Sequence, residues 1–509
     1  MKGLLIRDCV IDGERGSSVY VAGGLIGGVS KGSDAQAPPG VETVEAGGGT
    51  LLPGLTDSHC HPFEYGMLKR TLDLRGVSNM TGVRMRVQAA VIRTNPGEWV
   101  VGRGWNQEEF PDRRMPSRGD IDDISPSNPV VLTRVCGHIG VLNSRAMDEL
   151  GVGARTGEEY ERDSAGRLTG IVKETALAEA LARLPRTPEG AASALQAVEA
   201  EAAKLGLATL HCIVSPEGFR EELTALAQLE AAGTLALRYR VYVPPEALGF
   251  VRERGLLSRL RTDRVRINGV KMFADGSLGA RTAALRQPYS DDPSNSGILR
   301  MTDEGLAKAV ELVDGLGLQA MVHAIGDRAV EQAIDALARV AGNGNPRRHR
   351  IEHAGLLPRD LRAKMARYGI RAAVQPLFVT SDTWAIDRLG EERIRDYYPI
   401  RSMLEDGIVT SGASDSPVES ISPILGMWAA MTRGGMVPEE SLGQEDAVAL
   451  YTSRAASNGF DEAALKEGAP ADLTLLDSNV TGMHPALLRK VGVSATLVAG
   501  TVVHSYGAG

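Results

Sequence analysis

Across the middle of the chain, short apolar runs take turns with stretches in which apolar residues recur every three or four positions. The runs are GLATLHCIV, LALRYRVYV, RINGVKMFAD, LQAMVHAIGD, HRIEHAG, IRAAVQPLF and GIVTSGASDSP. Their length, β-branched content and polar or glycine borders predict strands. After Thr302, Leu306, Ala309, Val310 and Val313 fall at i, i+3, i+4 and i+7. After Asp327, Val330, Ile334, Leu337 and Ala341 nearly repeat that spacing, so both stretches predict helices with one apolar face. Strand-then-helix units in series predict a parallel sheet, open or closed into a (β/α)8 barrel.

The two ends read differently. MKGLLIRDCVIDG ends in a turn at Asp12-Gly13, and SSVYVAGGLIGGVS runs into a Gly/Pro-rich loop through Pro38-Pro39-Gly40. Near the C-terminus, ADLTLLDS, ATLVAG and TVVHS are three further strand-like runs. Residues 1–54 and 466–509 are therefore expected to form one small β domain around a core of 55–465. Gly28-Val29-Ser30-Lys31-Gly32 fits G-x-S-x-G, but no helical pattern follows it, so it is not a nucleophile elbow.

Spacing places candidate chemistry on this frame. His59 and His61 flank Cys60 in LLPGLTDSHCHPFEYG. In an extended strand, residues i and i+2 share a side, so these histidines face together and Cys60 points away. A (β/α)8 barrel spends about 31 residues per unit. His323 to His353 is 30 residues and His353 to Asp415 is 62, which places these residues at the ends of strands five, six and eight. Lys271 lies 52 residues before His323, and the long loop GSLGARTAALRQPYSDDPSNSG absorbs the surplus, so Lys271 belongs to strand four. Three units, about 93 residues, would separate His61 from Lys271; the gap is 210, so an insertion lies between them, at about 70–200. His211, in GLATLHC, is expected on strand three. It points to the site by spacing, and a satisfied core histidine is an equal alternative. His349, His484 and His504 have no sequence partners and read as surface or structural.

Composition narrows the classes. A chain of 509 residues is too long for one ordinary domain and suggests a large barrel or several domains. Aromatic residues make up only 4%, so aliphatic side chains must build most of the core. A net charge of −8 argues against a broad nucleic-acid or anionic-membrane surface. No run approaches the ~18 apolar residues of a membrane span. Arg7, Asp8 and Asp12 interrupt the start where a signal peptide needs an apolar core. A cytoplasmic protein is expected. Cys9, Cys60, Cys136 and Cys212 form no C-x-x-C pair and are expected to be reduced thiols packed in the interior.

These residues resemble the amidohydrolase superfamily, and within it amidohydrolase family 3, the YtcJ-like branch that includes N-substituted formamide deformylases. The stretches that carry the resemblance are LPGLTDSHCH, PVVLTRVCGHIGVLNSRAM, VKMFADGSLGARTA, HAIGDRAV, RIEHAG, VQP, SGASDSPVESISPILGMWAAMTR and EGAPADLTLLD, in order along nearly the whole chain. The resemblance implies a distorted TIM barrel, a β-sandwich built from both termini, and an inserted α/β lobe after strand one. It implies that His59 and His61 bind one metal, that His323 and His353 bind a second, and that Asp415 is both ligand and general base. Lys271 would stand where many members carry a carboxylated lysine, since a protonated lysine cannot ligate.

The implied reaction is cleavage of a non-peptide amide, N-acyl or N-formyl bond. One or two divalent ions, zinc first and manganese or iron as alternatives, would activate water, with Asp415 as proton carrier. His138, Arg281, Trp105 and Gln375 are substrate-binding candidates. Trp384 and Phe378 could also line the pocket, although core or lid packing is the commoner fate of such residues. Expected partners are a small-molecule amide and a second copy in a homodimer, with neither nucleic acid nor membrane. Two rival enzymes share the superfamily. A deaminase usually keeps a glutamate just after the strand-five histidine, and here Ala324, Ile325, Gly326 and Asp327 follow His323. A cyclic-amide hydrolase shares the ligands but not the long insertion or the GSLGARTA loop. A metal-free scaffold barrel would lack ligands, and none is missing.

Overall fold

The computed structural model describes residues 3–32, 40–152 and 156–506. Pro38 and Pro39 of the expected N-terminal loop lie outside them. The chain forms two compact units, one of residues 1–65 with 191–509 and one of residues 66–190.

Eight parallel strands build the first unit: β1 (Leu55–Cys60), β2 (Leu207–Ile213), β3 (Arg238–Val243), β4 (Val265–Phe273), β5 (Gln319–Ala324), β6 (Arg350–His353), β7 (Arg371–Val374) and β8 (Thr410–Gly412). They pair in sequence order from β1 to β8, as consecutive right-handed βα units require. Every residue of β1, β2, β3 and β6 is buried, as in a sheet covered on both faces. Helices follow the strands, including Asp303–Gly315, capped by Thr302 through its bond from the Gly305 N–H, and Asp327–Ala338. These are the two helices that the apolar spacing predicts. GLATLHC, expected as strand three, is strand two, and RYRVYV is strand three. The strand-three expectation overlooked that His211 lies 60 residues, about two units, before Lys271 on strand four.

The barrel is a distorted one. β1 and β8 share no strand ladder. The seam is instead joined beyond their ends, where the His61 N–H donates to the Ser416 carbonyl (2.8 Å) and the Asp415 N–H to the His59 carbonyl (2.8 Å). Asp57, buried in β1, accepts the Ser414 N–H at 3.1 Å, the Ser414 hydroxyl and the His59 N–H. Three candidate ligands, His59, His61 and Asp415, therefore sit on the seam itself.

Both termini contribute to a two-sheet β domain in the same unit. Leu4–Ile11, Glu14–Ala22, Leu25–Ser30 and Glu42–Glu45 form one four-stranded sheet. Leu51–Pro53, Leu473–Leu476, Val493–Val498 and Thr501–Ser505 form the other. Leu4, Ile6, Ile11, Val19 and Val21 share one apolar cluster with Leu473, Leu475, Ala495 and Leu497, the inward halves of alternating strands. Gly23-Gly24, at φ +58° and +84°, make the turn that splits the SSVYVAGGLIGGVS run into two strands. Arg238 at the start of β3 forks onto Asp472, tying this domain to the barrel.

The second unit is built on a six-stranded sheet running Tyr160–Arg162, Leu168–Lys173, Ile139–Leu142, Val130–Arg134, Val100–Trp105 and Leu72–Asp73. Two apolar clusters pack its faces, one around Leu74, Val87, Trp105 and Leu132, the other around Val131, Leu142 and Leu177. Cys9, Cys60 and Cys212 are buried as expected, but Cys136 is exposed, because it falls in the turn between Val130–Arg134 and Ile139–Leu142. Among the described residues, no helix is long and apolar enough to cross a membrane.

Candidate metal centre

The C-terminal ends of β1, β4, β5, β6 and β8 bring all six predicted ligands together. His59, His61 and Asp415 form the tightest group, with ligand atoms all within 4.8 Å of one another. One oxygen of Asp415 lies 3.2 Å from His59 Nε2 and 3.3 Å from His61 Nε2. Lys271 Nζ is 3.3 Å from the same His59 Nε2. The His353 ring is 5.2 Å from that of His59 and 4.5 Å from that of His323.

Local backbone explains how each side chain arrives. Alternation along β1 turns Asp57, His59 and His61 one way, while Cys60 packs into the surrounding apolar cluster. In β6 the same rule would turn His353 away from Glu352. His353 escapes it through φ +70°, followed by Ala354 at +48°. Asp415 is re-aimed in the same manner, at φ +56°. Left-handed backbone at non-glycine residues carries strain and gathers at functional sites. On the loop after β4, Asp275 accepts the N–H groups of Ala284, Ile325 and Gly326 at 2.8–3.1 Å, which fixes the loop against the turn after β5.

The histidines are candidate ligands, and their hydrogen bonds show which nitrogen each could offer. A carbonyl or carboxylate can only accept, so its histidine partner must donate. His323 gives its Nε2 proton to the Gly276 carbonyl at 2.9 Å, which leaves Nδ1 with a lone pair. His353 gives its Nδ1 proton to Gln375 Oε1 at 2.8 Å, an oxygen that also takes the Tyr398 hydroxyl. His59 Nδ1 donates to Glu352. One nitrogen of each ring is thus held; the other is left to coordinate at His323 and His353, and at His59 it faces Asp415 and Lys271.

For His323 and His353 the electrostatics agree with this, whereas at His59 burial and Lys271 are outweighed by Glu352 and Asp415, which raise its pKa. Burial and the nearby Lys271 ammonium push His323 down to about 3. Burial and its histidine neighbour push His353 well below the ordinary range. Both rings are neutral near pH 7, the form that binds metal. Burial opposes ionisation of Asp415, but His59 and His61 outweigh it and hold the carboxyl well below the usual carboxylate range. Lys271, only 2 % exposed, is pushed by burial down to about 8. Four imidazoles, three of them oriented by a second group, with one carboxylate match the donor set of divalent transition metals.

Other candidates are placed differently. Arg281 pairs with Asp291 on the loop after β4. Gln375 is fully buried, and its amide nitrogen has no hydrogen-bond partner among the described residues. In the second unit, Trp105 is enclosed in the core with its indole N–H given to the Leu132 carbonyl, and the exposed His138 faces Glu174. The Phe378 ring lies parallel to that of His353 at 6.4 Å, and Trp384 packs against Gly279. His211 is a buried core residue whose Nδ1 accepts from Arg350, while its Nε2 has no hydrogen-bond partner among the described residues. His349 does have partners: it is buried, accepts the Ala320 N–H and faces Asp314. Sequence reasoning missed Asp57, Asp275, Arg350 and Glu352. The alternation that paired His59 with His61 would also have put Asp57 on their side and joined Arg350 to Glu352.

Comparison with known proteins gives the family. The amidohydrolase family profile matches residues 42–504. The chain is 30% identical to YtcJ of Bacillus subtilis (strain 168), over 99% of this chain and 98% of that one. It is 25% identical to the N-substituted formamide deformylase of Arthrobacter pascens, over 95% and 94% respectively. The crystal structure of an uncharacterized metal-dependent hydrolase from Pyrococcus furiosus superposes with a TM-score of 0.79 at 31% identity, over 94% of this chain and 99% of that one. The chain belongs to the amidohydrolase family and is a metal-dependent hydrolase.

Proposed function

We propose that the chain hydrolyses the carbon–nitrogen bond of a small non-peptide amide, an N-acyl or N-formyl amine. The observation that carries this reading is the convergence of His59, His61 and Asp415 within 4.8 Å, with His323, His353 and Lys271 beside them. His59 and His61 would hold one divalent ion, zinc by preference; His323 and His353 would hold another, with Asp415 and Lys271 completing the set. Such an ion supplies Lewis acidity, which brings a water's ionisation toward neutral pH and polarises a carbonyl. The ionised Asp415 accepts the proton of the attacking water. As the carbon–nitrogen bond breaks, Asp415 returns that proton to the departing amine, which leaves a carboxylic acid and an amine.

Lys271 is the member most dependent on chemistry beyond its side chain. With its pKa pushed toward 8, a fraction of the amine is neutral near pH 7, and that form can add carbon dioxide to become an anionic carbamate. This supports the carboxylated-lysine reading. Gln375, with its buried unpartnered amide nitrogen, keeps a donor for substrate. A cytoplasmic homodimer completes the proposal.

A panel of N-formyl and N-acyl amines, offered to metal-replete enzyme, tests the bond class. Turnover of at least one of them with release of free amine is expected. Turnover confined to lactones or cyclic ureas would contradict the amide assignment.

A further inference from the structure

Next to the ligands, the barrel holds a charged pair that the reaction does not use. Arg350 and Glu352 are both 0 % exposed. The Arg350 guanidinium is committed in three directions. Nε donates to Glu352 Oε1 at 2.7 Å, Nη1 to His211 Nδ1 at 3.0 Å, and Nη2 to the Ser58 carbonyl at 2.8 Å. The other oxygen of Glu352 takes the Nδ1 proton of His59. His59 Nε2, on the far side of the ring, is the atom that faces Asp415 and Lys271.

A fully buried ion pair is costly to assemble and rarely justified by stability alone. This one has a geometric consequence. Imidazole can carry its proton on either nitrogen, and only the Nδ1–H form leaves a lone pair on Nε2. A carboxylate beside Nδ1 selects that form and fixes the ring plane. A buried carboxylate next to several metal ligands could also coordinate the ion itself. Arg350 occupies its second oxygen and turns it toward the barrel interior.

We propose that Glu352 is the positioning residue for His59, holding its Nε2 lone pair toward the metal, and that Arg350 is the countercharge that keeps Glu352 an acceptor rather than a ligand. The inference rests on the metal reading above and adds to it a residue pair that touches neither metal nor substrate.

Metal affinity measured by competition with a chelator tests this without recourse to activity. Glu352→Gln keeps the size of the side chain but opposes an amide N–H2 either to Arg350 or to the His59 N–H. Affinity for Zn²⁺ should fall by about 10- to 100-fold while the metal-free protein keeps its folded spectrum. Arg350→Lys keeps the charge, gives up the fork to His211 and Ser58, and should weaken affinity by roughly three- to tenfold; it carries the test if Glu352→Gln does not fold. Arg240→Met, which breaks the separate Asp461 pair in β3, should lower stability and leave zinc affinity unchanged. Folded Glu352→Gln or Arg350→Lys within twofold of wild type, or an equal loss of affinity in Arg240→Met, would overturn the inference. Wild-type protein that binds no zinc would instead overturn the metal reading beneath it.

Discussion

Asp415 is the residue on which the proposed chemistry converges. Its carboxylate reaches His59 and His61 with one oxygen, and its left-handed backbone holds it at the barrel seam. Asn at this position keeps the shape and removes the ability to accept and return a proton. Asp415→Asn should therefore lower kcat by about 10²- to 10⁴-fold on any true substrate, the usual weight of positioned general acid–base catalysis. Steady-state kinetics on metal-replete protein read this, and unchanged kcat would remove Asp415 from the proton path. His323 and His353 were legible as candidates because they recur with Asp415 at whole-unit spacing, and His59 and His61 because an extended run turns both one way. Glu352 was not, because a carboxylate one position from a histidine looks like any strand residue until β6 is known to bring it against β1.

At the scale of elements, the turn after β5 locks the site. Gly326 begins the helix Asp327–Ala338, and a Cβ there would lie 2.0 Å from the Ala284 carbonyl oxygen. The same N–H group is one of three held by Asp275. Gly326→Ala should destabilise the protein by about 1–3 kcal/mol through overpacking, read as a lower denaturant midpoint at unchanged slope. Gly315, in the helix Asp303–Gly315, has open space around it, and Gly315→Ala should be neutral or stabilising by up to about 1 kcal/mol. Equal effects at the two sites would refute the close-packing account of this turn. The sequence pattern fixed both helices from their apolar spacing and capping residues. It could not fix the aim of His353 or Asp415, because period-two alternation assumes ordinary strand backbone and both residues depart from it.

For the whole molecule, the barrel was legible from arithmetic. The assignments of Lys271, His323, His353 and Asp415 to strands four, five, six and eight all hold. The strand of His211 was misnumbered against that arithmetic: it lies 60 residues, about two units, before Lys271 and therefore belongs to strand two. The two-ended β domain was legible because short strand-like runs bounded by turn residues lie at both ends, and apolar residues of both share one cluster. The closure of the barrel was not. It depends on Asp57 and the backbone of His59, His61, Asp415 and Ser416, so the segment that completes the barrel also carries the ligands. An ion that binds these groups only in the folded state must also stabilise the fold, by about 2.7 kcal/mol at a free concentration a hundred times its dissociation constant.

The most direct test is the metal content of the purified protein, determined by mass spectrometry beside the His59→Asn/His61→Asn double variant. One or two equivalents of a divalent transition metal per chain in the wild type, with at least one lost in the variant, is the predicted result. A folded wild-type protein without stoichiometric metal after growth and purification in zinc, or a double variant that keeps the full complement, would contradict the assignment of this site.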